Sequence, residues 1–277
     1  MDVHVKKMRK QNEETTTRRE LPEPTVAPAV YDRKYYLTAC GDYKKWAATG
    51  GREVASSYKG VLEFAGFRPG ENVLDVGTGR GEIVRVAIEN GAAEAVGIDY
   101  SDASIELARQ TLSSAGIDDV ELIQADARRL PFKEGRFDLV MALDVVEHMS
   151  EAELKDALNE IHRVLAPGGR VFIHTMPSRL IYDVSYRLLR ALRPGWPADP
   201  RVDYERAMHV TEHSIGTIKR AMRRSGFERI RAWPGDFLYT DFLPGARARR
   251  LFCRLAPVPG VRRFVIADLF AEGYRQG

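Results

Sequence analysis

Residues 72–82 constrain the fold of this chain more strongly than any other stretch. Val73, Leu74 and Val76 form a short apolar run of the kind that fills a strand buried on both faces of a parallel sheet. Three glycines follow this run at alternate positions: Gly77, Gly79 and Gly81. Because glycine lets the backbone turn sharply and approach a ligand closely, the pattern predicts a strand that leads into a binding turn.

The segment after the glycines, residues 82–89, predicts a helix. Its first N–H groups have no partner within the helix and would point at whatever the glycine turn holds. Asp75 lies at the end of the preceding strand, where its carboxylate is placed to accept a hydrogen bond from a ligand amine. These features together predict the nucleotide-binding corner of an α/β sheet.

The glycine spacing distinguishes two classes of nucleotide site. A dinucleotide fingerprint counted from Gly77 needs its third glycine at position 82, where this chain has Glu82. The order Asp-x-Gly-x-Gly-x-Gly over residues 75–81 instead resembles motif I of the class I S-adenosylmethionine-dependent methyltransferases. The residues to which this resemblance assigns cofactor contacts are Asp75, Gly77, Thr78, Gly79 and Gly81.

The resemblance implies an α/β fold: a Rossmann-like, seven-stranded, mostly parallel sheet with helices on both faces and an antiparallel edge strand. It also implies that S-adenosyl-L-methionine is the cofactor and S-adenosyl-L-homocysteine the product, with no metal expected. We expect the methyltransferase domain to span residues 67–242, with its last two strands at 228–233 and 237–242.

A second acid follows the next apolar strand. Asp99 ends the predicted strand over residues 93–98, about 20 residues after the glycine turn, where an acid can accept both hydroxyls of a ribose. It is similar to the family's motif II acid, and Tyr100 beside it would pack against the adenine. The alternative is that Asp99 caps the helix that starts near Asp102.

The third strand, predicted over residues 120–124, leads into Asp126 and Ala127. By resemblance, Asp126 receives the adenine amino group and the neighbouring backbone completes the base site. The Leu-Pro-Phe sequence at 130–132 continues the similarity to small-molecule methyltransferases.

The fourth strand, predicted over residues 137–143, delivers side chains to the sheet edge at which open α/β sheets bind ligands. Leu143 and Asp144 should therefore lie near the methionine part of the cofactor. His148 would stand close enough to the methyl group to act as a base. The family's histidine at this place sometimes faces the acceptor and sometimes only packs.

Residues 177–210 are longer than a simple connection needs and predict a substrate lid with a helical stretch at 180–192. His209 is the second candidate base or a pocket residue. His209 and His213 have a spacing that could bind a metal on a helix, but they precede the predicted helix at 215–225 and no third ligand is evident.

The flanks differ from this core. Residues 1–29 predict a mobile tail, and residues 30–66 predict an aromatic N-terminal cap in which Tyr35 and Tyr36 either line the pocket or pack in the core. Residues 243–277 alternate arginine with apolar residues, so this extension either lies on an anionic membrane surface or docks on the domain.

Charge and cysteine content bear on the compartment and the partners. The net charge is +3, but residues 1–178 carry 23 Lys and Arg against 29 Asp and Glu, whereas 179–263 carry 18 against 8. That asymmetry suits an anionic acceptor, an anionic membrane surface or merely a solvated face. Two distant cysteines and the absence of a long apolar run predict a cytoplasmic protein, either free or peripheral at the inner membrane face.

The predicted function is methyl transfer to a small-molecule, glycan or lipid-linked acceptor, preferably to a hydroxyl of a sugar or glycolipid. The alternatives are N-methylation of a small amine and a non-catalytic protein that keeps the cofactor fold. No nucleic-acid module is apparent, and the sequence does not indicate an oligomeric state.

Overall fold

The computed structural model describes residues 21–176, 203–235 and 268–277. It also describes residues 184, 186–192, 195, 197–199, 201, 254 and 258.

The centre of the molecule is a seven-stranded sheet in the order β3-β2-β1-β4-β5-β7-β6. The strands are β1 (Asn72–Val76), β2 (Glu94–Asp99), β3 (Leu122–Gln124), β4 (Phe137–Leu143), β5 (Leu165–Thr175), β6 (Glu228–Pro234) and β7 (Leu269–Tyr274). Strands β1 to β5 pair in parallel, whereas β7 pairs antiparallel with both β5 and β6. This is the Rossmann-like sheet that the sequence predicts.

Helices cover both faces of the sheet. The α-helices are α1 (Arg33–Thr38), α2 (Tyr43–Thr49), α3 (Ser56–Phe64), α4 (Glu82–Glu89), α5 (Asp102–Ser113), α6 (Glu151–Val164), α7 (Arg187–Leu192), α8 (Asp203–Met208) and α9 (Ile215–Arg224). Short 3-10 helices occupy Pro28–Val30 and Val146–His148. One apolar core joins the sheet to α6 and α9, and a second joins the opposite face to α3 and α4.

Local sequence fixes the ends of the long helices. Ser150 caps α6 by accepting a hydrogen bond from the backbone of Glu153, whose side chain in turn accepts one from the backbone of Ser150. Ser214 and Thr217 form the same reciprocal arrangement at the start of α9. Such capping satisfies backbone donors that a helix leaves open, so both helices begin where the sequence predicts.

Two strands differ from the prediction. The Pro-Gly-Gly sequence at 167–169 predicts a turn that introduces a strand over residues 170–175. Strand β5 instead begins at Leu165, so the Pro-Gly-Gly segment belongs to the strand, where its register with β4 is irregular. The last strand is Leu269–Tyr274, within the region predicted as a basic extension. The strand predicted over residues 237–242 lies outside the described residues.

Of the predicted mobile tail, residues 1–29, the structure describes only residues 21–29. Val26 is buried, and Thr25 donates from its backbone nitrogen and its hydroxyl to the carboxylate of Glu153, at 2.7 and 2.6 Å. The stretch 21–29 therefore packs on the domain, because Glu153 at the start of α6 gives it polar partners.

Most of the predicted lid before residue 203 lies outside the described residues, except for α7 and a few neighbours. Among the described helices, none combines the length and apolar character that crossing a membrane requires.

Candidate active site

A cavity of about 460 Å³ lies at the carboxyl ends of β1, β2 and β4. The N-terminal cap and α8 form the wall opposite the sheet. The predicted site residues that line it are Asp75, Gly77, Thr78, Gly79, Asp99, Tyr100, Asp126, Ala127, Leu143, His148 and His209. The structure thus brings both candidate bases and most predicted cofactor contacts to one cavity.

Gly81 has a different role from the other glycines of the turn. It does not line this cavity, and its left-handed backbone, with φ of 77°, starts α4. A Cβ atom here would lie 2.9 Å from the Cβ of Ala108, so glycine allows α5 to pack closely against the turn. The structure gives Gly81 this packing contact, and its predicted cofactor contact stays a prediction.

Gly77 is required by close packing at the cavity wall. Its φ is 74°, and a Cβ atom would lie 2.4 Å from the Cγ2 atom of Val145. Gly79 also has a positive φ, of 53°. The turn therefore brings bare backbone to the cavity at both positions, as a nucleotide site requires.

The Asp99 carboxylate is held by the backbone around it. Its Oδ2 atom accepts a hydrogen bond from the Gly79 backbone nitrogen at 3.1 Å, and Oδ1 accepts one from the Ser101 nitrogen at 3.0 Å. Burial raises the pKa of Asp99, although these hydrogen bonds oppose the change. The side chain that caps α5 is that of Ser101, so the alternative of Asp99 as the helix cap is wrong.

Asp75 provides a test of whether a cationic ligand group fits the cavity. Burial, together with the nearby acids Asp99 and Glu82, raises the pKa of Asp75 to about 7. A buried acid among acids ionises fully only when a positive charge lies beside it. The amine of S-adenosylmethionine would supply such a charge, and therefore the donor set of this corner fits the expected cofactor.

Asp126 forms an ion pair with Arg128, an arginine to which the sequence assigned no role. Arg128 contacts both Asp126 carboxylate oxygens at 2.7 to 3.0 Å and lies 3.4 Å from Glu153. The Tyr100 hydroxyl donates to the carbonyl of Val26 at 3.4 Å. The predicted adenine region is therefore braced by Arg128 and by the segment before α1.

Arg80, inside the glycine turn, ties that turn to the N-terminal cap. Its fully buried guanidinium donates to the carbonyls of Tyr36 and Gly41 at 2.7 and 2.5 Å, and to the Tyr58 hydroxyl at 3.2 Å. The Nε atom of Arg80 donates to the carboxylate of Glu82 at 2.7 Å. The wall of the cavity and its glycine floor are thus one connected unit.

His148 is oriented by a backbone carbonyl. Its Nδ1 atom donates to the carbonyl oxygen of Met208 at 3.0 Å, so Nε2 is the unprotonated nitrogen of the neutral ring. Burial lowers the pKa of His148. The ring packs edge-on against Tyr31 and His209, with centroids 5.6 and 5.1 Å away. His148 thus has the tautomer of a general base.

His209 is less suited to that role. Burial, and next the neighbouring His148, lower the pKa of His209 to about 4. Its Nδ1 atom is buried without a hydrogen-bond partner among the described residues. His213 is separate, because its Nε2 atom contacts the Val146 carbonyl at 3.2 Å in the core. The structure does not support the alternative of a metal held by His209 and His213.

Glu147 lies beside both candidate bases. Burial, and next the charge of Asp144, raise the pKa of Glu147 to about 8, and Thr175 donates to its Oε2 atom at 2.8 Å. Potential ligand atoms of Glu147, His148 and His209 lie within 4.8 Å of one another. Thr175 orients Glu147 and the Met208 carbonyl orients His148, so hydrogen bonds fix both of these side chains in the cavity wall.

His174 and Asp268 complete the cavity beside Asp144. Nδ1 of His174 lies 2.8 Å from Asp144, and Nε2 lies 3.0 Å from Asp268. Burial alone would lower the pKa of His174, but the two carboxylates raise it to about 10. This ring is therefore an imidazolium at neutral pH.

Sequence reasoning missed several functional side chains of this cavity. Arg80 and Glu147 lie inside or beside recognised motifs, where their position was a usable signal. No sequence signal indicated Asp268, because it reaches the cavity at the start of β7, and the last strand was predicted at 237–242. The missed side chains are Arg80, Arg128, Glu147, His174 and Asp268.

Comparison with known proteins agrees with this geometry. Residues 73–169 match the family model of a methyltransferase domain. The ubiquinone/menaquinone biosynthesis C-methyltransferase of Pseudomonas fluorescens is 32% identical over 181 residues, covering 61% of this chain and 70% of that protein. The protein of that name from Ectopseudomonas mendocina is 31% identical over 169 residues, and there the match spans 59% of this chain and 65%, just under two thirds, of the relative.

A solved structure shares the fold. The phosphoethanolamine N-methyltransferase 2 of Haemonchus contortus, in complex with phosphomonomethylethanolamine and S-adenosylhomocysteine, superposes with a TM-score of 0.57. It is 17% identical, and the match covers 80% of this chain and 53% of that one.

Proposed function

This chain belongs to the class I S-adenosylmethionine-dependent methyltransferases, and we propose that it methylates a hydroxyl group of a small-molecule acceptor. The observation that carries the proposal is the fixed tautomer of His148: because Nδ1 donates to the Met208 carbonyl, Nε2 is the nitrogen that carries no proton in the neutral ring. A hydroxyl acceptor needs its proton removed as the new bond forms, and a neutral imidazole is suited to that task.

S-adenosylmethionine, when bound, supplies an electrophilic methyl group on a sulfonium sulfur. The contribution of the chain is mainly to hold and orient. Asp99 would accept the ribose hydroxyls, and Asp75 would pair with the amine. Gly77 and Gly79 bring bare backbone close to the ligand.

The acceptor side of the cavity is aromatic. Rings of Tyr31, Tyr35 and Tyr204 line it, and neighbouring rings meet edge-on with centroids 5.4 and 6.3 Å apart. Burial raises the pKa of each of these hydroxyls, so they stay protonated and can donate hydrogen bonds. An aromatic wall with few free charges suits the ring or apolar part of an acceptor and also keeps water out of the site.

A second candidate is methylation of a carbon in a hydroxylated ring. The names of the ubiquinone/menaquinone relatives favour it, since those proteins are C-methyltransferases. Loss of the ring hydroxyl proton to His148 would make the adjacent carbon nucleophilic. The two candidates share the base and differ in the atom that receives the methyl group.

The test is a product analysis with isotopically labelled S-adenosylmethionine. Purified protein is incubated with a panel of sugars, phenols and reduced quinones, and the labelled position in each product is found by NMR. Transfer to oxygen that is lost in His148→Gln supports the proposal. Transfer to ring carbon supports the second candidate, and transfer to an amine with no dependence on His148 would reject both.

A further inference from the structure

Asp144, His174 and Asp268 form a continuous line of hydrogen bonds from the cavity wall to the start of β7. Each nitrogen of the His174 ring faces a carboxylate oxygen, at 2.8 Å for Asp144 and 3.0 Å for Asp268. Both nitrogens therefore carry protons, because a carboxylate only accepts. Asp144 directly follows β4, His174 lies on β5 and Asp268 directly precedes β7, and these three strands are adjacent in the sheet.

The line is exposed at one end only. The side chain of Asp144 is 54% exposed, whereas those of His174 and Asp268 are 11% and 1% exposed. The backbone nitrogen of Asp144 also donates to the carbonyl of His174 at 3.0 Å, and its φ is 53°. Both the backbone and the side chain of Asp144 are thus attached to His174, so the carboxylate is presented to the cavity.

The charges of this part of the cavity do not cancel. One imidazolium serves two carboxylates, which leaves one negative charge. Glu147 is protonated at neutral pH because burial raises its pKa to about 8, and burial keeps His148 and His209 neutral. Among the side chains of Asp144, Glu147, His148, His174, His209 and Asp268, the excess charge therefore belongs to the Asp144 line.

Aromatic rings line the same part of the cavity. The centroids of Tyr35 and Tyr204 are 6.3 Å apart, and after burial the charge of Asp144 is among the causes that raise the pKa of both hydroxyls. Electron-rich ring faces attract organic cations, most strongly where water is excluded. A carboxylate beside such rings is the arrangement that a cationic ligand group requires.

We propose that His174 and Asp268 are positioning residues that present the carboxylate of Asp144 to an organic cation in the cavity. The cation is a sulfonium or ammonium group, which either the cofactor or a protonated acceptor amine can supply. That the cofactor supplies the cation rests on the proposed function. That the carboxylate of Asp144 binds a cation does not rest on it.

Calorimetric titration with three probes distinguishes these sources: S-adenosylmethionine, S-adenosylhomocysteine and tetramethylammonium. The variants are Asp144→Asn and Asp268→Asn, and the matched control is Asp42→Asn, an acid that lines the same cavity and accepts from Ser57 at 2.7 Å. We expect Asp144→Asn to weaken binding of a cationic probe about 10-fold to 100-fold, because a charged partner is lost.

The pattern of loss identifies the cation. If Asp144→Asn loses affinity for S-adenosylmethionine alone, the cation is the sulfonium. If it loses affinity equally for S-adenosylmethionine and S-adenosylhomocysteine, the cation is the ammonium. Loss for tetramethylammonium alone identifies an acceptor amine. Asp268→Asn should shift the same probes in the same direction, and the double variant should lose less than the sum of the single losses.

Equal losses of affinity for all three probes would indicate a purely structural role, and that result would overturn the proposal. So would wild-type affinities in Asp144→Asn, equal losses in Asp42→Asn, or a native protein that binds none of the probes. Unchanged affinities in Asp268→Asn would overturn the positioning role. A native protein that binds tetramethylammonium through Asp144 but neither cofactor form would support the cation subsite while rejecting the proposed function.

Discussion

The Nδ1 atom of His148 lies 3.0 Å from the carbonyl oxygen of Met208, and this contact selects the tautomer of the ring. Met208 ends α8, within residues 177–210, whereas His148 ends the short helix after β4. The region predicted as a lid therefore also determines which nitrogen of the candidate base carries the proton in the neutral ring. Second partners of this kind commonly orient a catalytic imidazole.

Replacement of the base should affect catalysis far more than binding. We expect His148→Gln to lower kcat about 100-fold to 10,000-fold, the usual contribution of a general base, because glutamine cannot take a proton. Affinity for S-adenosylhomocysteine should stay within about threefold of the wild-type value, well below the tenfold change that 1.4 kcal/mol gives. Initial rates and calorimetry measure the two effects separately.

The matched control is His162→Gln, since His162 packs against Phe227 away from the cavity. It should keep wild-type kcat. An active His148→Gln variant would show that the ring only packs in the wall.

The pH dependence of kcat/KM should have its acid limb below pH 6.5. Burial lowers the pKa of His148 below its ordinary value, so the ring is already neutral when a solvent-exposed histidine would still be half protonated. The rate with a hydroxyl acceptor should therefore rise with pH and level off before neutrality. An acid limb centred above pH 7 would show that the group whose deprotonation limits kcat/KM is not His148.

Asp99 should be needed for cofactor binding and Asp102 should not. Asp99→Ala removes the carboxylate that faces the cavity, so we expect affinity for S-adenosylmethionine to fall by about 1.5 to 3 kcal/mol, the usual contribution of hydrogen bonds to a charged group. Asp102 is exposed in the first turn of α5. Asp102→Ala should bind normally, and equal losses in both variants would assign the effect to α5.

The imidazolium of His174 should make stability depend on pH in the alkaline range. Its pKa is raised to about 10, so the stability it contributes is fully present below its unfolded value near pH 6.5 and is lost as pH rises through 10. We expect Asp268→Asn to lower the free energy of unfolding by about 3 kcal/mol at pH 7. That difference should narrow by pH 10 in urea denaturation.

An exposed pair provides the control for this measurement. Asp203 pairs with Arg206 on α8, and the Asp203 side chain is 98% exposed. Asp203→Asn should change stability little at either pH, since exposed pairs contribute about 0 to 1 kcal/mol. If the loss in Asp268→Asn is the same at pH 7 and pH 10, the His174 charge is not its cause.

The central part of the fold was predictable because its sequence patterns are local. Strand β4 and helix α4 begin and end where periodicity places them, and Asp99 follows its strand at the distance that the ribose contact needs. Gly81 shows the limit of such reasoning. It shares the spacing of the other glycines, but its contact with Ala108 depends on how α5 packs.

The other errors concern contacts between distant segments. His174 looked like an ordinary strand residue, since its two carboxylate partners come from separate parts of the chain. Arg80 occupied a variable position of the glycine motif, and its buried contacts with the cap could not be read from that position. Patterns of charge and hydropathy carry no information about which remote partner fills a polar site.

Strand β7 imposes an order on the assembly of the site. It lies between β5 and β6, so β6 is synthesised before the neighbour with which it pairs. Asp268 directly precedes β7 and enters with it. Because Asp268 and β7 are adjacent in the sequence, the strand that closes the sheet between β5 and β6 also brings the second carboxylate to His174.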